Sequence, residues 1–577
     1  MTEGLTQEGL LKDVEIIRRT TSICPECLQP IPAELYVDPE TDWVMMRKTC
    51  KDHGDFKDKI SIHPEDYKWQ MSFTDDIGST VNNSTKPEST TSGIKPIKRG
   101  CPYDCGLCEN HESAPNICLI DITNRCNLTC PICFANASAK GYVVEPTFDQ
   151  LVQIMKHFRS MKPVPAVLLQ LSGGEPTVRD DLPEIIAKGK ELGFTEVMVT
   201  TNGVRFGKSK EFLKACRDAG MDAIYLQFDA TDDPEVWKKI RGVNLWPLKK
   251  RVIENCRELG IYGLMLVPVI AKGVNDHQVG KIMNYAKDNT DVVSGVIFQP
   301  VSLCGRISFE ELMDIRYTTS DLKDAINAST NNAIGKFYPI ATTAKMTRLL
   351  AWFDNQPEFG MTSHHDCGFC TICIVNEKGE WEQIEKYFDT EGLIKWSNNV
   401  YDMVQGKEIP KPTGFLKGIN LEDFGAVAST IGKFVDEMTD IGYRQMMKAY
   451  YFAGALKYIK HPEKIITSKT LQGFARLVAS PNYTSAESFL HTRNLMVSAM
   501  HFQDAYNFDL ERVKRCLVHY GVIDPDNPAK VLEIPFCAMN TLHRERIERA
   551  LAIQGEQAKK PEVIQSEIEE LLETVKD

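Results

Sequence analysis

The 577-residue sequence has no apolar run near the roughly 18 residues that a membrane-spanning helix needs. Its longest runs, such as Tyr262–Ala271, stop well short. It has no charged-then-apolar stretch at Met1 of the kind that directs secretion. We therefore expect a cytoplasmic protein whose contact with a membrane, if it makes one, is peripheral. There is no excess of positive charge: 67 Lys and Arg against 79 Asp and Glu leave a net charge of −12. That balance repels polyanions, so no nucleic-acid partner is expected, and anionic membranes gain no electrostatic hold. Large apolar side chains are almost missing from Ser79–Gly100 (STVNNSTKPESTTSGIKPIKRG), which is expected to be a flexible linker.

What the chain has in quantity is cysteine. The 18 cysteines fall in clusters at 24/27/50, 101/105/108/118, 126/130/133, 367/370/373 and 516/537, with Cys216, Cys256 and Cys304 apart. Without a secretion signal, such clustering points to metal sites rather than a disulfide framework. Cys216 and Cys256 lie in helical patterns and read as small core residues. The remaining composition, 42% hydrophobic and 25% charged, is that of a globular protein. The length implies more than one domain.

Cys126-Asn127-Leu128-Thr129-Cys130-Pro131-Ile132-Cys133 carries three thiols at C-x3-C-x2-C spacing in one loop. Three thiolates can hold three irons of a [4Fe–4S] cube and leave the fourth open to a substrate or cofactor. The preceding Ile117–Thr123 reads as a buried strand, so the loop stands at a strand's C-terminal end, where α/β barrels keep their chemistry. Strands are expected at 117–123, 166–172, 196–201, 223–229, 262–270 and 294–300. Between them lie amphipathic helices at 148–161, 181–192, 208–219, 235–259 (broken near Pro247) and 279–287. This alternation predicts a parallel α/β sheet of six units.

Polar groups gather at the ends of those strands. Ser172-Gly173-Gly174-Glu175-Pro176 follows strand two, with two glycines that permit close backbone approach and a carboxylate that can pair with an ammonium. Thr201-Asn202-Gly203 ends strand three and Gln227-Phe228-Asp229 ends strand four; these side chains can reach a ribose or a carboxylate. Asp229 could instead cap the turn after it. Gly273-Val274-Asn275-Asp276 closes strand five.

Three further metal sites are expected. Cys24-Pro25-Glu26-Cys27 with Cys50-Lys51-Asp52-His53 suits a tetrahedral zinc or a rubredoxin-like iron, with His53 either the fourth ligand or a surface histidine. Cys101, Cys105 and Cys108 repeat the C-x3-C-x2-C spacing but follow a linker, so they are assigned to an auxiliary cluster. Cys118 is either its fourth ligand or a core residue of the strand, and His111 is a second candidate. Cys367, Cys370, Cys516 and Cys537 are chosen for another auxiliary cluster, with Cys373 and Cys304 as substitutes; the alternative makes Cys516 and Cys537 buried thiols. Residues 1–20 read as helical and polar, and the C-terminal region is expected to be mostly helical, at 424–440, 443–460, 470–479 and 486–505, with an acidic amphipathic tail over 562–575.

The expected organisation is thus a Cys/His metal module (1–78), the linker (79–100), an auxiliary-cluster segment (101–116), a partial barrel (117–305), an auxiliary-cluster and hairpin region (306–420) and a helical C-terminal domain (421–577).

The cluster loop and GGEP resemble the radical S-adenosylmethionine (SAM) superfamily. That resemblance implies a partial (βα)6 barrel, SAM on the open iron held by Cys126, Cys130 and Cys133, the SAM amino group at Gly173–Pro176, and adenosine near Asn275. Thr201, Asn202, Gln227 and Asp229 would complete the cofactor site. One departure is Ile132, where the superfamily often has an aromatic residue before the last cysteine, with Phe134 just after. The flanking blocks CP-x2-CG-x-C, DCG and His501–Asp509 with Cys516 and Cys537 make most of the chain, from about residue 20 to about residue 550, similar to archaeal tetraether lipid synthases. The expectation from that branch is coupling of the terminal carbons of diether lipid chains, with one or two auxiliary [4Fe–4S] clusters, a diether lipid substrate and an electron donor such as ferredoxin or flavodoxin. The alternative is radical C-methylation of a pterin-type small molecule. A third reading, an iron–sulfur electron carrier, leaves GGEP and the strand-end polar residues without a use.

Overall fold

The computed structural model describes residues 14–73, 93–133, 135, 137, 141–302, 315–356, 358, 360–376, 378–408, 442–460 and 494–552. The sequence readings at 79–92, Phe134, Cys304, 424–440, 470–479 and 562–575 lie outside these residues.

Four strands, β1 (Ile16–Ile23), β2 (Pro30–Val37), β3 (Val44–Cys50) and β4 (Gly54–Ser61), form an antiparallel sheet in chain order. The second sheet starts with the barrel strands β5 (Ile117–Thr123), β6 (Leu168–Gly173), β7 (Glu196–Thr201), β8 (Ala223–Gln227), β9 (Leu264–Val267), β10 (Val269–Ile270) and β11 (Val293–Pro300). It then takes β12 (Tyr338–Pro339), β13 (Gly368–Val375), β14 (Trp381–Gln383), β15 (Asn494–Met500), β16 (Val518–Ile523) and β17 (Val531–Pro535). The order is β12-β13-β15-β11-β9-β8-β7-β6-β5-β16-β17, with β10 on β11 and β14 on β13. The expected βα units are present, and the sheet is parallel from β15 through β16. This is the expected α/β partial-barrel architecture, with an antiparallel N-terminal module and helices in the C-terminal part.

The helices follow from local signals. Thr147 caps Phe148–Arg159 in a reciprocal capping box with Gln150. Leu151, Ile154, Met155 and Phe158 of that helix are buried against the sheet, each contributing about 1.5–3 kcal/mol. Asp233 caps Pro234–Arg241, whose first residue is the proline expected at N1. Leu169, Leu171, Val197, Val199, Ile224 and Leu226 alternate along β6–β8 and fill the layer beneath the helices. The intervening Gln170, Met198, Thr200, Tyr225 and Gln227 therefore point to the barrel interior.

Two strand assignments correct the sequence reading. Residues 494–500, read as the end of a helix, are β15, which inserts between β11 and β13. Leu495, Val497 and Ala499 are buried in the sheet–helix core, and that tertiary burial overrides the helical propensity of a Leu/Met/Ala run. The chain from Ile16, read as helix, is β1, whose partner β2 lies one turn away.

The small sheet is seated on the rest of the molecule by buried charge. Arg316, 2% exposed, bonds Asp58 of β4 at 2.6 Å and Asp504 at 2.8 Å. Arg18 of β1 bonds Asp366 at 3.0 Å and Asp509 at 2.5 Å. Lys48 donates to Ser22 and to the Ala505 carbonyl. Breaking a buried pair from one side strands the other charge, at about 3–5 kcal/mol. Arg316→Met is therefore expected to loosen the small sheet, read as faster proteolysis between residues 62 and 100 and a lower thermal midpoint. Lys68→Met, on the surface beside Glu15 and Glu65, should leave both unchanged.

Candidate active site and metal centres

The candidate active site is built at the C-terminal ends of β5–β9. The glycines of Gly173-Gly174 are required by the chain leading into the cysteine loop. Gly174 N–H donates to Thr123 O at 2.7 Å and Glu175 N–H to Arg125 O at 2.8 Å. A Cβ on Gly173 would lie 2.1 Å from Thr123 O, and one on Gly174 2.2 Å from Arg125 O. This approach buries Glu175 beneath the loop. Its carboxylate accepts from Thr177 N–H (3.1 Å), Thr177 O–H (2.5 Å), Thr201 O–H (2.6 Å) and Asn202 N–H (2.7 Å). Burial pushes its pKa up, and the hydrogen bonds resist that shift by favouring the ionised form.

The other strand-end residues join the same network. Asn202 Nδ2 donates to Asn127 Oδ1 in the cysteine loop at 2.7 Å, tying β7 to it. Gln227 donates to Asp229 and accepts from Lys249 Nζ at 3.0 Å. Asp229 is wholly buried and is committed to protein: it takes Arg241 in a two-point fork at 2.6 and 2.9 Å and accepts from Val269 N–H at 2.9 Å. It caps the β9–β10 kink rather than the turn that follows it. Asn275 donates to the carbonyls of Asp229 and Val269 and accepts from Ala271 N–H, so it braces β8 against β10. Pro176 opens a short 3-10 turn capped by Glu175.

Arg241 and Lys249 were missed in the sequence reading. A signal existed: Lys249 stands in an apolar stripe with Val252, Ile253 and Cys256, where a charge needs a reason. Lys249 Nζ is fully enclosed and donates to Asn202 O at 2.6 Å. Burial pulls its pKa down to about 7, with Asp229 opposing and Arg241 reinforcing the shift.

Cys126, Cys130 and Cys133 lie together in the loop above this network, with Glu175, Asp229 and Arg241 as charged neighbours. Leu128 N–H donates to Cys126 Sγ at 3.4 Å. Burial raises the Cys126 and Cys130 thiols, and Arg241 opposes this at Cys130. A half-buried three-thiol set backed by N–H donors fits an iron–sulfur cluster with one iron free of protein.

The N-terminal ligands are tightly grouped. Cys24 Sγ and Cys50 Sγ lie 3.6 and 3.4 Å from His53 Nδ1, and Cys27 Sγ lies 4.0 Å from Cys50 Sγ. All four donor atoms are within 4.8 Å of one another. A tetrahedral zinc with bonds of about 2.3 Å to sulfur and 2.0–2.1 Å to nitrogen has edges of roughly 3.5–3.8 Å, so the set fits a single ion. Asp52 N–H and the His53 ring hold the Cys50 thiol down to about 6.

Cys101, Cys105 and Cys108 line a small cavity with His111, Lys514 and Pro535. The loop is folded by Asp104, which accepts from the N–H groups of Lys98, Arg99 and Gly100. Cys118 lies in the sheet–helix core, with Glu533 as its charged neighbour. His111 Nε2 meets the Cys516 carbonyl at 3.1 Å. Cys367, Cys516 and Cys537 are neighbours around Arg512, and Cys516 also neighbours Cys105. Cys370, expected with them, sits along β13 opposite Ser498 and Tyr338, and Cys373 is buried in the main core. Cys367 ends the 3-10 turn His365–Cys367 ahead of β13, whereas Cys370 is already inside the strand, paired between β12 and β15.

Two outcomes test this geometry. Cys50→Ser should abolish one tightly held ion per chain, read by metal analysis, with visible absorption distinguishing iron from colourless zinc. For Lys249 the unfolded state holds a proton that the folded state has lost between about pH 7 and the ordinary lysine value, so stability rises with pH across that window. The thermal midpoint of apo-protein should rise from pH 7 to pH 9 more steeply than that of Lys249→Met.

A family profile described as "Radical SAM superfamily" matches residues 120–286. A second, "HMPTM N-terminal zinc ribbon domain", matches residues 16–62. The chain is 37% identical over 546 residues to 7,8-dihydro-6-hydroxymethylpterin dimethyltransferase of Methanocaldococcus jannaschii, covering 94% of this chain and 97% of that one. It is 32% identical to a probable GTP 3′,8-cyclase of Sulfolobus acidocaldarius over 36% of this chain and 62% of that one. Among solved structures, methylornithine synthase aligns with a TM-score of 0.26 at 16% identity over 32% of this chain and 52% of that one. The full-length relative corrects the expected kinship with tetraether lipid synthases, and with it the diether lipid substrate and the lipid-coupling activity. No helix among the described residues is long and apolar enough to cross a membrane. The chain is a radical SAM enzyme with an N-terminal zinc ribbon, and it belongs to the family of the Methanocaldococcus jannaschii pterin dimethyltransferase.

Proposed function

We propose that the protein is a radical SAM C-methyltransferase acting on a pterin-type small molecule. The observation that carries this reading is 37% identity to a relative named for that reaction, over 94% of this chain and 97% of that one. The barrel interior agrees with it. Gln170 Nε2 donates to Thr200 Oγ1 at 2.8 Å, and Tyr225 and Gln227 stand on the same face. Amide and hydroxyl groups suit the ring nitrogens and carbonyl of a pterin, which can exchange hydrogen bonds with them.

SAM and its cluster supply, when bound, the one-electron chemistry that an unactivated carbon requires. Cys126, Cys130 and Cys133 are proposed to hold the cluster. The Glu175–Thr201–Asn202 network fixes the strand ends around the cofactor, and Lys249 presents an amine whose charge changes near neutrality. The Cys101/105/108 and Cys367/516/537 groups are proposed as auxiliary metal centres, and the segments 1–78, 101–116, 117–305, 306–420 and 421–577 as the working divisions of the chain.

The test is anaerobic. Protein loaded with iron and sulfide is reduced with dithionite and given SAM with or without 7,8-dihydro-6-hydroxymethylpterin. Deoxyadenosine should rise several-fold with the pterin, and mass spectrometry should find one or two methyl groups on it. Deoxyadenosine indifferent to pterin, with no methylated product, overturns the reading.

A further inference from the structure

The end of helix Pro234–Arg241 grips the cysteine loop from two sides. Ile132 N–H donates to Ile240 O at 3.3 Å, and Arg241 Nη1 donates to Ile132 O at 3.0 Å. The same guanidinium hydrogen-bonds the Cys130 sulfur. It has little freedom to do otherwise. Asp229 holds its other edge in the two-point fork, and Asp229 is fixed in turn by Val269 N–H and Gln227. Arg241 is 8% exposed and Asp229 is 0% exposed. A cation so placed faces a ligand sulfur across a dry contact, where charge acts at low dielectric.

From this we infer that Arg241 is a positioning residue that sets the reduction potential of the cluster proposed on Cys126, Cys130 and Cys133. Hydrogen bonds to ligand sulfur and net charge are the protein's main controls on such potentials, because the reduced cluster carries one more negative charge. An N–H donor on Cys130 favours that reduced form. Asp229 balances the guanidinium, so loss of Arg241 alone would leave a bare carboxylate facing the cluster and disfavour reduction twice over. In the step itself one electron passes from the reductant to the cluster; no bond at Arg241 forms or breaks and its protons stay in place.

The inference rests on those three cysteines holding the SAM-responsive cluster, and the test separates the two. Reconstituted full-length protein is titrated with dithionite and redox mediators, following by electron paramagnetic resonance the signal that changes on adding SAM. In Arg241→Gln, reduction at a fixed potential should become at least about tenfold less favourable, a 59 mV fall in midpoint for a one-electron couple. Arg241→Lys, which keeps the charge but not the fork, should recover part of that shift. A SAM-responsive signal of full amplitude in Arg241→Gln with an unchanged midpoint overturns the inference. So does loss of that signal in both variants while the other iron is retained, which would make Arg241 purely structural. A wild-type protein with no SAM-responsive signal would sink the cluster assignment itself.

Discussion

One buried carboxylate organises the catalytic face. Glu175 is removed from water, and it is tolerable there because hydroxyl and backbone donors from two strand ends converge on it. That convergence sets the distance between β6 and β7 at their tips. Asn202 passes the constraint to Asn127, and so to the cysteine loop. The two glycines before Glu175 are part of the same constraint, because any side chain there would strike the carbonyls of Thr123 or Arg125. Loop, carboxylate and glycines are therefore one device: changing any part moves the three thiols relative to the sheet.

The edges of the barrel are managed by the C-terminal chain. An open parallel sheet of six units leaves two edges with unpaired backbone groups. Here β15 pairs with β11 on one side and β16 with β5 on the other. The chain between β15 and β16, with the turn into β13, carries Cys367 and Cys516, and the Cys101–Cys108 loop packs beside it. The zinc-ribbon sheet then locks on through Arg18 and Arg316, whose carboxylate partners Asp509 and Asp504 lie in that same connection. The late cysteines thus reach the barrel only because residues hundreds of positions apart close it together.

This explains what was legible in the sequence. The βα units were readable because their strands and helices carry their own hydrophobic periods: Ile117–Thr123 and Glu196–Thr201 were placed to the residue. The grouping of Cys24, Cys27, Cys50 and His53 was readable because C-x2-C and C-x2-H spacings are local. Elements defined by distant partners were not. β15 is a strand only because β11 and β13 flank it, and Cys370 parts from Cys367 because β13, paired to β12 and β15, begins between them. Arg241 and Lys249 were hidden for a related reason, since a buried cation is recognised by what encloses it. Asp229 was found but given the wrong partner: its place at a strand end was visible, its guanidinium was not.

The substrate was the hardest part to read, and the lipid expectation failed for a physical reason. The cysteine blocks that suggested it report how many metal centres the chain builds and where they lie. They say nothing about the surface a substrate meets. That surface is written in the alternate residues of β6–β8, where Gln170, Thr200, Tyr225 and Gln227 face inward and Leu169, Val199, Ile224 and Leu226 face the helices. The outward set is wholly apolar, while the inward set places amides and hydroxyls around Met198. Buried amides and hydroxyls discriminate strongly against any ligand that cannot pair with them. Substrate class in such a barrel is thus better argued from the inward alternation of its strands than from its cysteines.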